Sequence, residues 1–375
     1  MSSLTMRLLL TILALTTTAA SLPDLTHNDD ARRTPTVYER VQSIVREKQL
    51  HETFNATEQR VSTTGRHQFI APSSKDLRGP CPFLNAAANH GYIDRSGYTT
   101  AWRVISVAVN VFGMGTDLAT FLSSYAAIVH GDSTAFSIGG TAEMWQAATS
   151  AGQHTRGTGL SNSHNSMECD GSPMSSDVFG KQTWSGARVE HVEQLFGLHQ
   201  HSREAKFDMP TLTDFRAIRQ AHSIAENKLF FNGPFTALIM QPAAYSFMYR
   251  LLANHSADHP AGLLTQDILK DFYAITTEKG KMKYTPGHER IPHNWFRRSR
   301  KTPYDNHFLL NDIIYQASHH PQFFRLGGNI AGKVKQFRPI DIRAMTSGVY
   351  RAATLHEDWN FAFVTCSFLV LLHSC

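Results

Sequence analysis

Apolar residues recur at three- and four-residue spacing along 98–129, with Val104, Val107, Val111, Leu118, Leu122 and Ala126 on one stripe. That period predicts helices, broken between Gly113 and Gly115 and resumed at Asp117 and Leu118. It returns over 189–196, 212–224, 243–252 and 264–275, the last with Thr265 and Asp267 placed to start a helix. Extended, alternating β-branched runs are scarce, and no repeat of fixed period is visible. The pattern predicts a mainly α fold: a single helical domain with long connecting loops.

The two ends read differently from the middle. Arg7, an apolar run over 8–15 and the small residues from Thr16 to Ser21 form a secretory signal pattern, so 1–20 are expected to be removed and the protein secreted. Residues 21–74 are polar and charged, with Asp29-Asp30-Ala31-Arg32-Arg33, and read as a propeptide or loosely packed lead. The packed domain is expected over 75–345. Beyond it, 346–375 form a tail whose apolar run, 361–372, is too short to span a bilayer. A docked last helix and a removed anchor signal are both open for it. Export makes the sequons at Asn55 and Asn254 candidate glycosylation sites.

With 42% hydrophobic and 18% charged residues in 375, the chain can bury a sizeable core and is not a disordered one. A net charge of +5 is spread without a basic block or finger spacing, which sets nucleic acid aside. The four cysteines, at 81, 169, 366 and 375, are too few for a disulfide scaffold. Cys366 and Cys375 are the nearest pair in sequence, yet in a helix they would stand too far apart to bridge, so connectivity stays open.

Candidate chemistry concentrates at Pro80-Cys81-Pro82. Both flanking prolines have fixed φ and no N–H, so the sulfur is presented on stiff backbone. Such a thiol suits a metal ligand; it equally suits a buried thiol or half of a disulfide in a turn. The wider stretch decides between them. Pro80-Cys81-Pro82, Leu84-Asn85, Ala88-Asn89-His90-Gly91-Tyr92 and Asp94-Arg95 before Gly97 resemble the proximal signature of the fungal haem-thiolate peroxidases, the chloroperoxidases and unspecific peroxygenases. The resemblance implies haem b with Cys81 as its axial ligand, and structural roles for Asn85, Asn89 and His90 around the loop and helix start. A thiolate so placed favours O–O cleavage of bound peroxide.

A second segment, His164-Asn-Ser-Met-Glu168-Cys169-Asp170-Gly171-Ser172 with Asp177, resembles the family's distal motif. The resemblance implies a magnesium or manganese ion held by Glu168, the Cys169 carbonyl and Ser172, hard oxygen donors of the right kind. Read without the family, the same residues make an ordinary solvated turn. Ser137-Ile-Gly-Gly140, Asn232-Gly-Pro-Phe235 and His288-Glu-Arg-Ile-Pro-His-Asn-Trp295 extend the resemblance over 79–298.

Two departures stand out. Pro242 occupies the position of the family's proton-moving Glu, and no acidic residue occurs between Glu226 and Asp258. Cys169 stands where the family's partner His would be. His164 and Asp170 are the candidate catalytic substitutes, with loop stabilisation as their other reading. The resemblance therefore implies an enzyme that uses hydrogen peroxide on a small apolar or aromatic substrate, with no nucleic acid partner and no membrane span. The departures leave open a haem-binding member with weakened peroxide chemistry.

Overall fold

The computed structural model describes residues 42–43, 45, 53–143, 157–177, 186–198, 206–233, 235–329 and 333–339. The expected signal, most of the polar lead, the tail 346–375 and with it Cys366 and Cys375 lie outside the described residues. What is described is mainly α, as the apolar period predicts. Its helices are α1 (Ala56–Gln59), α2 (Pro82–Asn89), α3 (Ala101–Phe112), α4 (Thr116–His130), α5 (Val189–Gly197), α6 (Met209–Glu226), α7 (Gln241–Leu252), α8 (Gln266–Phe272) and α9 (Asn306–His319).

The break expected after Val111 falls at Gly113, which takes φ 73° to end α3. A Cβ there would lie 2.6 Å from the Arg298 carbonyl oxygen, so conformation and space both require glycine. Helix α3 starts at Ala101, three residues later than the period suggests. Strand β1 (Tyr98–Thr100) pairs antiparallel with β2 (Ala135–Ser137) instead, and the Thr100 side chain then accepts from Arg103 N–H to cap the helix.

Short strands account for the other differences. Strand β3 (Phe231–Asn232) opens a small sheet completed later by β6 (Gly327–Asn329) and β7 (Phe337–Pro339), in the order β3-β6-β7. Thr265 caps α8 as expected, but the helix stops at Phe272 because the chain turns into a hairpin of β4 (Ile275–Glu278) and β5 (Lys281–Tyr284). Lys279 and Gly280 take φ 51° and 77°, the two left-handed residues that a tight hairpin turn needs.

Part of the expected loose lead is packed. Residues 53–74 carry α1, capped by the Asn55 side chain, and bury Gln59 and Val61. Gln59 Nε2 donates to the Arg297 carbonyl at 2.8 Å, and Glu58 pairs with Arg297 at 2.8 Å. Polarity misleads here because the side chains face a partner 238 or 239 residues downstream rather than water.

Around the middle of the molecule, α6, α7 and α9 meet on a buried polar seam. Pro242 has no N–H and its ring crowds the carbonyl four residues back, so a π-turn over Thr236–Met240 absorbs the mismatch and leads into α7. Arg216 of α6 donates to Gln241 at 2.9 Å and Gln316 at 2.9 Å and lies 3.9 Å over the Phe323 ring. Arg250 makes a two-pronged bond to Asp312, 2.7 and 3.0 Å, and Tyr304 donates to the same carboxylate at 2.9 Å. Removing one partner of such a buried pair strands the other. Asp312→Ala is therefore expected to lower the unfolding free energy in urea by about 3–5 kcal/mol. Glu278→Ala, which removes an exposed pair with Lys283, should shift it by less than about 0.5 kcal/mol; equal effects would contradict the seam's role.

Candidate active site

Cys81 is the N-cap of α2. Pro82 follows it, and the residue before a proline is pushed into extended backbone; Cys81 accordingly has φ −93° and ψ 107°, the cap conformation. Its sulfur stands where a capping oxygen would, next to the N–H groups of Leu84 and Phe83. Burial pushes the thiol up to about 12, against the downward pull of those N–H groups. The turn ahead of it is locked by Asn85. Its amide accepts from Gly79 N–H at 3.0 Å and donates to the Gly79 carbonyl at 2.8 Å. A Cβ on residue 79 would lie 1.9 Å from the Ile138 oxygen, so only glycine lets the loop lie against 138–139.

The far end of α2 is clamped to a later segment. Asn89 Nδ2 donates to the carbonyls of Gly287 and Glu289, both at 2.7 Å, and its oxygen takes two bonds from Arg78. His90 accepts from Ile291 N–H at 3.2 Å through Nε2 and meets the His67 carbonyl at 2.7 Å through Nδ1, which fixes Nδ1 as the protonated nitrogen. The structural roles expected of Asn85, Asn89 and His90 are thus the ones they hold.

The loop 163–177 hangs from α6 and α7. Gln241 Nε2 donates to the Asp170 carbonyl at 2.8 Å, Tyr245 hydroxyl to the Gly171 carbonyl at 2.7 Å, and Arg219 Nε to the Ser172 carbonyl at 3.4 Å. Asp177 accepts from Gly171 N–H at 2.9 Å and from the Ser223 hydroxyl. Gly171, at φ 69°, lets the turn close.

Cys81 and this loop line one cavity, with about 1230 Å³ of empty space counted out to its solvent mouth. Its walls are apolar: Val104 and Ala108 of α3, Leu122 and Ala126 of α4, Ala244, Phe247 and Met248 of α7, and Tyr273. From the loop come Ser163, Met167, Glu168, Cys169 and Ser172 through Ser175. Of the residues expected at the site, Cys81, Glu168, Cys169 and Ser172 therefore come together.

His164 and Asp170 do not line the cavity. Asp170 accepts from Phe231 N–H at 3.1 Å and stands 3.5 Å from His164 Nε2, so the two meet each other inside the loop. Pro242 does not line it either: its carbonyl accepts from Gln316 at 3.1 Å. Helical period explains this, since Met240, Ala243, Ala244, Phe247 and Met248 form the stripe that reaches the cavity and residue 242 falls off it. Glu168 is the one carboxylate among the lining residues. Among the described residues no three His, Cys, Asp or Glu side chains converge on a metal position, so an ion here would need backbone and hydroxyl oxygens as well. The residues sequence reading passes over are Ser163 and Ser175 in the lining and Tyr273, and the buried Glu289 beside the Cys81 helix lies in a quoted stretch but is given no role there; single polar residues in loops carry no periodic signal.

Known proteins resemble the chain over most of this framework. Residues 67–300 match the family described as Peroxidase, family 2. The chain is 37% identical over 307 residues to the dothistromin biosynthesis peroxidase of Dothistroma septosporum, covering 82% of this chain and 72% of that one. It is 34% identical over 342 residues to an aromatic peroxidase of Fusarium equiseti, covering 89% and 76%. An aromatic peroxygenase of Coprinellus radians is 31% identical over 199 residues, 50% of this chain and 71% of that one.

The carboxyl of the loop that faces the cavity is that of Glu168. Burial pushes its carboxyl up to about 8, with Asp170 and Asp177 adding to the rise and Ser175 opposing it; neither oxygen has a well-formed hydrogen bond. The unfolded chain sheds this proton near 4.5 while the folded chain keeps it to about 8, so between those values stability falls as pH rises. Glu289, pushed up to about 7, adds to the loss around that value, whereas the buried histidines, lowered from 6.5 by burial, oppose it as the unfolded chain sheds their last protons. The share due to Glu168 is therefore read as the difference that its own substitution makes. Between pH 7 and 8 the metal-stripped protein is expected to lose roughly 1 kcal/mol more in urea unfolding than its Glu168→Gln variant does. The same decline in the variant would assign it elsewhere.

Proposed function

Because the chain belongs to the fungal haem-thiolate peroxidases, peroxide-using oxidoreductases, we propose that it binds haem b through the Cys81 sulfur and uses hydrogen peroxide to oxidise or oxygenate a small organic substrate. The observation that carries this reading is the single cavity shared by Cys81 and the loop 168–172. Its donor set suits the group: a thiol at a helix start, stiffened by two prolines, at the edge of a large apolar space. A haem bound through a thiolate supplies the electron donation that favours O–O cleavage of peroxide.

The chain's own residues do the rest. Leu84 and Phe83 N–H groups favour negative charge on the sulfur. The apolar walls exclude water and suit an apolar or aromatic substrate. Glu168, the Cys169 carbonyl and Ser172 are the oxygens we assign to a magnesium or manganese ion, whose charge would satisfy a carboxylate that the protein leaves without a well-formed hydrogen bond. A relative named for dothistromin biosynthesis supports a place in specialised metabolism, with export by the N-terminal signal.

One observation favours a second reading, weak turnover. The stripe that enters the cavity from α7 carries alanine, phenylalanine and methionine but no acid, and burial holds the Cys169 thiol protonated. A positioned acid or base contributes about a hundred- to ten-thousand-fold, so its loss would be felt.

Two experiments test these statements. In the haem-loaded protein, the reduced carbon monoxide complex should have a strongly red-shifted Soret band, kept in Cys169→Ala and lost in Cys81→Ala; retention in the latter would refute the ligand. If the missing acid limits turnover, Ala244→Glu with Cys169→His should raise the peroxide-driven oxidation rate by about a hundredfold or more. Pro242→Glu with Cys169→His, which aims the carboxylate at Gln316 instead, should not. Rapid turnover in the unsubstituted protein would place the proton-moving group elsewhere.

A further inference from the structure

Segment 287–291 is strapped to α2 by Asn89 and His90, and the strap turns the Glu289 side chain inward until it is 3% exposed. Its charge is only partly offset. Its own N–H and the Asn85 amide favour it, the Tyr284 hydroxyl donates to Oε1 at a long 3.3 Å, and Oε2 has no hydrogen-bond partner. Arg78 lends it positive charge, but neither neighbouring arginine pairs with it. Arg78 is committed to Asn89 and to the carbonyls of Leu77 and Arg95, and Arg290 lies 4.4 Å over the Phe69 ring. A buried carboxyl without a counter-ion is expensive, and a fold needing only the strap would be served by glutamine.

What this carboxyl does reach is the sulfur side of the cavity. Burial is the main reason that the Cys81 thiol and the Tyr273 hydroxyl hold their protons, and the Glu289 charge adds to it at both; both residues line the cavity. It acts against the Leu84 and Phe83 N–H groups, which draw electron density off the sulfur. We propose that Glu289 is a positioning residue for the sulfur, a buried negative charge behind Cys81 that strengthens its donation to the bound iron. This rests on Cys81 being the ligand. Nearby charge is one of the levers by which a protein tunes a liganded metal, and the direction follows from electrostatics: negative charge behind the donor favours the ferric over the ferrous state.

The test is the ferric–ferrous midpoint of the haem-loaded protein at pH 8.5, read with the carbon monoxide band. Glu289→Gln should keep the red-shifted band and move the equilibrium toward ferrous by about tenfold, about 59 mV for a one-electron couple. Tyr284→Phe, which removes the one hydroxyl offsetting the charge, should move it the opposite way. An unchanged midpoint in Glu289→Gln with the band intact would overturn the proposal. If that variant does not hold haem, Tyr284→Phe decides: a lowered midpoint supports the proposal, an unchanged or raised one refutes it. Absence of the red-shifted band in the unsubstituted protein would instead refute Cys81 as ligand, and this proposal with it.

Discussion

The paired hydrogen bonds between the Asn85 amide and the backbone of Gly79 fix how the chain enters α2, and the rest of the cavity is arranged around that entry. Asn85 lies on the helix and Gly79 ahead of it, so the bonds close a short loop with Pro80, Cys81 and Pro82 inside. The prolines remove its freedom, Gly79 lets it press against 138–139, and the sulfur is left at the helix N-terminus with nowhere else to point. Moving Cys81 means breaking a buried amide's bonds, which leaves both partners unsatisfied at about 1–3 kcal/mol for each group.

Satisfied and unsatisfied buried polar groups divide the molecule by purpose. The seam of Arg216, Gln241 and Gln316, and the cluster of Arg250, Asp312 and Tyr304, are bonded throughout and hold helices together. Glu168 and Glu289 are not. Each is buried with at least one carboxylate oxygen lacking a hydrogen bond, one in the cavity and one beside the Cys81 helix. Residues kept in so unfavourable a state fit a site completed by something other than protein.

Much of this was legible in the sequence where the signal is periodic or punctuated. The apolar stripe places α3, α4, α6 and α7, and Gly113 marks the break between the first two. The Pro-Cys-Pro frame and the 168–172 stretch name six residues that share the cavity. What was not legible depends on long-range partners. The hairpin at Ile275–Tyr284 is disguised by charged residues and a Lys-Gly turn, and α1 looks solvated because its partners lie near Arg297. Pro242, read as the residue replacing an acid, falls off the stripe of α7 that lines the cavity, and its carbonyl is taken by Gln316. His164 and Asp170, near the motif in sequence, turn toward each other.

Two thiols, Cys81 and Cys169, line the same cavity, so the central claim is which one binds iron. X-ray absorption at the iron edge of the haem-loaded protein tests it most directly. The account predicts one sulfur bound to iron in the unsubstituted protein and in Cys169→Ala, and none in Cys81→Ala. A sulfur that survives Cys81→Ala and vanishes in Cys169→Ala, or iron bound only by nitrogen and oxygen in the unsubstituted protein, would contradict it.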